Sequence, residues 1–435
     1  MSRSILAAFL FLHAATGAAQ APPSEIGWRE ALTAAVRRAA ARNPRVREAE
    51  ARAEAARQRV PQAAALPDPE IELGLKDLPV RDLSLSRDNF TMEMVTGRQH
   101  LPGRGKRSAQ LAAARAGVEG AEAMREHEVV DIAADTADAF FELAATDRRL
   151  ALLEESRQRL EGAAAAATEL YRVGKVGQSD VLQASLERTS LEEQLSSLRS
   201  ARRAQAARFN ALQGLPAGTP VPPIGPISPA GLGGEAPALA DLVRRAAERS
   251  HAVAAAQADV HRGEQELELA LLEGRPDWTL TGYYGRRERF EDYVGMSAAI
   301  NLPWAHRRRL EERRAEKEAD LAAARAGVEV VRNQLQGEIE GAYAELEKNL
   351  EQARLYSASI LPQAEINDRA AREAYAAGKI DFLTLIRAAT GLDHYRQEAA
   401  MRASEIGRAL AALQKASGLP LIAGTPGEGG SDAGN

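Results

Sequence analysis

Tyr171-Arg172-Val173-Gly174-Lys175 returns about 200 residues later as Tyr375-Ala376-Ala377-Gly378-Lys379. Outward from this pair, other matches keep the same order. Gly214-Leu215-Pro216 is echoed by Gly418-Leu419-Pro420, Pro67-Asp68 by Pro276-Asp277, Leu101-Pro102 by Leu302-Pro303, and Ala113 to Glu119 by Ala323 to Glu329. Any one such match arises by chance among alanine-rich helices. Their shared order does not, and it marks an internal duplication with a period far longer than that of a solenoid repeat.

Proline placement divides the chain accordingly. Pro216, Pro220, Pro222, Pro223, Pro226 and Pro229 crowd a Pro/Gly-rich linker at 216–236, with Pro237 just beyond it. The first repeat is 22–215 and the second 237–420; the Gly-, Asp- and Ser-rich tail, 421–435, is expected to be disordered. Each repeat reads as the same succession of parts. A short helix (near 26–40 and 237–248) precedes a longer one (near 44–65 and 250–273). Two strands follow, at about 70–78 and 89–101, then at about 277–286 and 293–302. Two long helices close each repeat, at 103–171 and 178–213, then at 304–375 and 382–417. At about 1.5 Å per residue the first of these spans ~100 Å, too long for a compact domain. Leu143 and Leu150, Leu153 and Leu160, and Leu191 and Leu198 stand a heptad apart, as in a coiled-coil or tunnel wall. Pro362 predicts a kink or local unwinding within the second long helix.

The strands alternate. Ile71, Leu73 and Leu75 share a face opposite Glu70, Glu72 and Gly74. Phe90, Met92 and Met94 alternate with Thr91, Glu93 and Val95. Trp278, Leu280, Gly282 and Tyr284 alternate with Thr279, Thr281 and Tyr283, while Val294, Met296, Ala298, Ile300 and Leu302 oppose Gly295, Ser297, Ala299 and Asn301. Such alternation suits a membrane β-barrel strand, and equally a half-buried soluble sheet. Copper ligation by Met92 and Met94 competes with a lipid-side position beside Phe90, and the lipid side is the reading preferred. Four strands cannot close a barrel, so a membrane reading requires several chains. Basic clusters follow each second strand: Arg104, Lys106 and Arg107, then Arg307, Arg308 and Arg309. They fit either a membrane boundary or a solvated helix start.

Composition narrows the chemistry. Of 435 residues, 45% are apolar but only 4% aromatic; net charge is −5 and cysteine is absent. This excludes disulfides, thiolate metal sites, cysteine nucleophiles and a cysteine-linked lipid anchor. It also lacks the basic footprint of nucleic-acid binders. Arg3, the apolar run Ile5 to Phe11 and Ala19-Gln20-Ala21 read as a signal peptide over 1–21. No later segment is apolar enough for a transmembrane helix. Gly105-Lys106 lacks the rest of a P-loop, and His127-Glu128 the second histidine of a zincin. No catalytic, metal or cofactor site emerges, and no enzyme is expected.

Tyr171-x-x-Gly174, Asp180-Val181-Leu182-x-Ala184 and their counterparts Tyr375, Gly378, Leu385, Ile386 and Ala388 resemble the periplasmic tips of TolC-like outer-membrane efflux proteins. Leu66-Pro67-Asp68-Pro69 and Leu101-Pro102-Gly103-Arg104-Gly105-Lys106-Arg107 resemble that family too, and the stretch between them looks most like its heavy-metal-efflux branch. The resemblance implies a mainly α protein with a membrane β-barrel: a homotrimer of twelve strands, four per chain, continued by an α-helical tunnel. It implies a bacterial outer-membrane location with contact to lipid, a periplasmic adaptor at the tips and an inner-membrane pump of RND type. Tyr171, Gly174, Asp180, Leu182, Tyr375, Gly378 and Leu385 would form the adaptor-binding tip. Thr384 and Arg387 match the pore aperture, where many relatives carry acids. The glycines suit a partner's close approach or plain helix caps, and Asp180 a tip hydrogen bond or a cap. The expected function is passive conduction of substrate, heavy-metal cations foremost. Multidrug or type I secretion outlets, or a pore-less periplasmic coiled-coil scaffold, are the alternatives.

Overall fold

The computed structural model describes residues 25–419 and 421, apart from 82, 175, 228–231, 233–237 and 304–306. The expected signal segment, the tail beyond 421, and Lys175, Pro229, Pro237 and Pro420 lie outside the described residues. The first half runs α1 (Glu25–Arg42), α2 (Pro44–Ala64), β1 (Glu70–Lys76), β2 (Met92–Leu101), α3 (Lys106–Arg172) and α4 (Gln178–Leu212). The second repeats that order as α5 (Leu239–Arg249), α6 (His251–Leu272), β3 (Trp278–Arg286), β4 (Tyr293–Ile300), α7 (Arg307–Leu355), α8 (Leu361–Ala376) and α9 (Phe382–Ser417).

Local chemistry sets the corners. Pro44 forces Asn43 into extended backbone. Asn43 then caps α2 by accepting from the Arg45 N–H at 2.8 Å, while its amide donates to the Leu212 carbonyl at 2.8 Å. Ser250 plays the corresponding part at α6. The strain expected at Pro362 is absorbed one turn earlier. Proline has no N–H for the carbonyl four residues back, and Tyr356–Ile360 widens into a π-helical turn, with the Leu361 N–H bonding to the Tyr356 carbonyl. The long helix thus divides into α7 and α8.

Four of the scarce aromatics gather where α1, α3, α4, α5, α7 and α9 meet. Trp28, Phe140, Phe141 and Phe209 stack edgewise or tilted at 5.8–6.1 Å, with Ile339, Leu346, Ile406 and Leu413 around them. Gly407 lies against this cluster, and a Cβ there would stand 2.5 Å from the Phe141 ring. The linker is pinned to the same level. Asp147 pairs with Arg202 and accepts the Ile224 N–H at 2.8 Å, and Asn210 donates to the Thr219 carbonyl at 2.8 Å. Beside it, acids of α3 meet bases of α9: Asp135 with Lys415 at 2.9 Å and Asp138 with Arg408 at 2.8 Å.

The strands form one antiparallel sheet, β1-β2-β3-β4. β2 and β3 pair across the two halves, Thr96 opposite Tyr283 and Arg98 opposite Thr281. The register sorts the side chains. One face carries Ile71, Leu73, Leu75, Val95, Trp278, Leu280, Tyr284, Val294, Met296 and Ile300, all exposed on the single chain. The other carries Glu70, Glu72, Thr96, Arg98, Thr279, Thr281 and Ser297, with Arg98 reaching Glu72 at 2.8 Å.

This corrects one sequence expectation. Met92 and Met94 stand opposite Lys76 and Gly74, on the polar face, not with the apolar residues. β2 is amphipathic only weakly, so taking its methionines as the apolar phase inverted the strand. The phase is fixed by the neighbours, whose apolar residues lie opposite Val95 and Gly97. Phe90 lies before the strand.

Candidate functional site: the helical tips

Far from the sheet, α3 turns into α4 and α8 into α9. Both turns use glycine in left-handed backbone, Gly174 at φ 72° and Gly378 at φ 67°. No heavy atom lies within 4 Å of where a Cβ would stand at either position. The backbone, not crowding, is what requires glycine here. Each glycine N–H bonds to the carbonyl three residues back, Tyr171 and Tyr375, at 2.9 Å, so both close a helix end.

The two hairpins are held together by a small core of Ala167, Ala184, Phe382 and Ile386, flanked by Val181, Leu385 and Tyr375. Phe382 is only 2% exposed, its ring 6.0 Å from that of Tyr375. Asp381 caps α9 by accepting the Thr384 N–H at 2.9 Å, and hydrogen bonds from Thr384 hold its carboxyl below the usual range. Burial pushes the Tyr375 phenol up, and the charge of Asp180 adds to it; the phenol oxygen is buried with no hydrogen-bond partner among the described residues.

Of the residues singled out from sequence, Asp180, Tyr375 and Leu385 come together here. Asp180 occupies the first turn of α4, while Gly177 holds the cap position, so the capping alternative does not apply. Tyr171, Leu182, Gly174 and Gly378 face outward, Leu182 being 61% exposed. Thr384 and Arg387 are exposed on the first two turns of α9.

Sequence reading missed three features. Asp381 before an apolar helix was a legible capping signal. Phe382 had no counterpart in the first repeat to flag it. The third lies above the tip, where Asp393 of α9 takes the Arg159 guanidinium and, at 2.5 Å, the Ser156 hydroxyl of α3. These residues border a cavity of about 500 Å³, with Leu153, Leu385 and His394. No sequence signal joins positions so far apart. Among the described residues no cluster of histidines and carboxylates could hold a metal ion, and no helix is long and apolar enough to cross a membrane.

A four-stranded sheet with one apolar and one polar face, continued by helices of up to 67 residues, is the fold of outer-membrane channels. Residues 35–215 match the outer membrane efflux protein family. No curated protein is a significant sequence match. VceC, an outer membrane protein of Vibrio cholerae, superposes with a TM-score of 0.75 at 20% identity, over 91% of this chain and 99% of that one. The CmeC outer membrane channel of Campylobacter jejuni gives 0.76 at 13%, over 96% and 94%. CusC, a transmembrane channel, gives 0.77 at 14%, over 92% and 95%. The matched proteins are channels, not enzymes.

Proposed function

We propose that the chain is one subunit of a homotrimeric outer-membrane channel, exported by its amino-terminal segment without a lipid anchor, that passes substrate outward for a tripartite efflux system. One observation carries this reading. The sheet has an exposed apolar face, yet the outer edges of β1 and β4 meet no partner strand among the described residues. Unpaired strand edges are not tolerated in hydrocarbon, so copies must join edge to edge. Three copies give twelve strands, an even number within the known range.

The polar faces would then line the lumen and the helices would extend it into the periplasm. An adaptor would meet the exposed turns around Gly174, Leu182 and Gly378, and an inner-membrane pump of RND type would deliver the cargo. Thr384 and Arg387 would stand at the aperture. The cargo class rests on the resemblance of residues 66–107 to the heavy-metal-efflux branch. Growth of a deletion strain across graded copper, silver, zinc, cobalt and cadmium, beside organic drugs, tests it. Sensitivity confined to metals is expected; sensitivity to drugs alone would reassign the cargo and leave the channel intact.

A further inference from the structure

The cations at the junction of sheet and helices are unevenly satisfied. Lys106 is consumed internally, its ammonium 2.8 Å from Asp277, which also accepts the Gly103 N–H at 2.7 Å. Other bases of α7 are matched to acids: Arg308, between Arg307 and Arg309, with Glu312, and further down Arg313 with Glu273, Arg314 with Glu318 and Lys317 with Glu266. Arg104, Arg107, Arg307 and Arg309 differ. All four are exposed, and none makes a side-chain hydrogen bond or ion pair among the described residues. Neither α3 nor α7 has an acid in its first turn. These cations therefore sit uncompensated at the positive ends of two helices.

Their position indicates what compensates them. The apolar face of the sheet ends at this level with Trp278, Ile300 and Leu302, each exposed by 42–47%. Tyr284 stands on the same face six positions beyond Trp278. At roughly 3.4 Å per residue the two aromatics are ~20 Å apart, close to the height of an outer-membrane apolar band bounded by aromatic girdles. The arginines follow directly on the helix side of that band. Successive helix residues turn by about 100°, so Arg307 to Arg309 sweep a wide arc, and part of it faces the bilayer whatever the helix rotation.

We infer that Arg104, Arg107, Arg307 and Arg309 form a belt that binds the phosphate groups of anionic phospholipids in the periplasmic leaflet. The inference rests on the outer-membrane reading above and names the lipid class. Guanidinium forks match phosphate oxygens bidentately. The belt fixes the depth of the barrel at its lower rim, beside the aromatic anchor Trp278.

The test uses the purified full-length complex in detergent, titrated with dioleoyl-phosphatidylglycerol or dioleoyl-phosphatidylcholine. Retained lipid is counted by native mass spectrometry and thermal unfolding is followed in parallel. Phosphatidylglycerol should be retained and should raise the unfolding temperature, less so at high salt. The variant Arg104→Gln/Arg107→Gln/Arg307→Gln/Arg309→Gln should lose about tenfold or more in retention, and the corresponding fourfold Arg→Lys variant, which keeps the charge but not the fork, should recover it only in part. Equal retention by the glutamine variant, or equal protection by inorganic phosphate, would overturn the belt. Cell fractionation of the wild type separates the two levels. A wild-type protein outside the outer membrane overturns the channel reading as well; one in the outer membrane with unselective lipid binding overturns the belt alone.

Discussion

At the residue scale, two glycines that look alike in sequence carry different constraints. Gly378 needs only its left-handed backbone, whereas Gly407 is confined by the Phe141 ring. Gly407→Ala should therefore destabilise the helical body by about 1–3 kcal/mol through overpacking, read by thermal unfolding. Gly378→Ala should cost about 1 kcal/mol from backbone strain, and its effect should be confined to hydrogen exchange at the tip. Phe382→Ala should loosen the tip by about 3–5 kcal/mol, whereas Tyr375→Phe should be neutral or stabilising, since it removes a buried hydroxyl with no partner. Asp277 gives a pH signature. Burial pushes its carboxyl up, but Lys106 and the Gly103 N–H outweigh burial and hold it below the usual range. A depressed folded value means the pair stabilises above the ordinary aspartate range, near pH ~4, and is lost as pH falls through the depressed value. Asp277→Asn should cost about 1–3 kcal/mol near neutrality, and its unfolding temperature should converge with wild type in acid.

At the element scale, the helices were legible because nothing interrupts them. Long proline-free, alanine-rich stretches with glycine turns leave little alternative, and Pro362 announced a local break. The way it is accommodated, a π turn ahead of the proline, depends on packing that sequence does not display. Pro362→Ala should let Tyr356–Ile360 revert to α-helix, with stronger hydrogen-exchange protection there. The strands were legible in number, but the phase of β2 was not, because methionine serves either face and only pairing with β1 and β3 settles it. The faces make opposite predictions. Met296→Arg, near the middle of the apolar face opposite Gly282, should cost about 2–4 kcal/mol in a bilayer, while Thr281→Arg on the polar face should fold and alter conductance instead. The tip was half legible. Its turns are written in repeated motifs, but the contacts of Phe382 and of Arg159 with Asp393 join the halves of the chain, and such contacts leave no local trace.

At the scale of the whole molecule, a single chain leaves its sheet open. Its sheet exposes Leu73, Val294 and Met296 on one side and ends in two open edges, and its largest aromatic cluster lies in the helical body rather than beneath the sheet. Association of copies would satisfy both edges at once and place Glu72, Arg98 and Thr281 around a water-filled bore. Light scattering of the detergent-solubilised protein, corrected for bound detergent, tests this most directly. A protein mass about three times that of one processed chain, with no smaller species at low concentration, is the result predicted. A monomer that stays soluble after the detergent is withdrawn would contradict it.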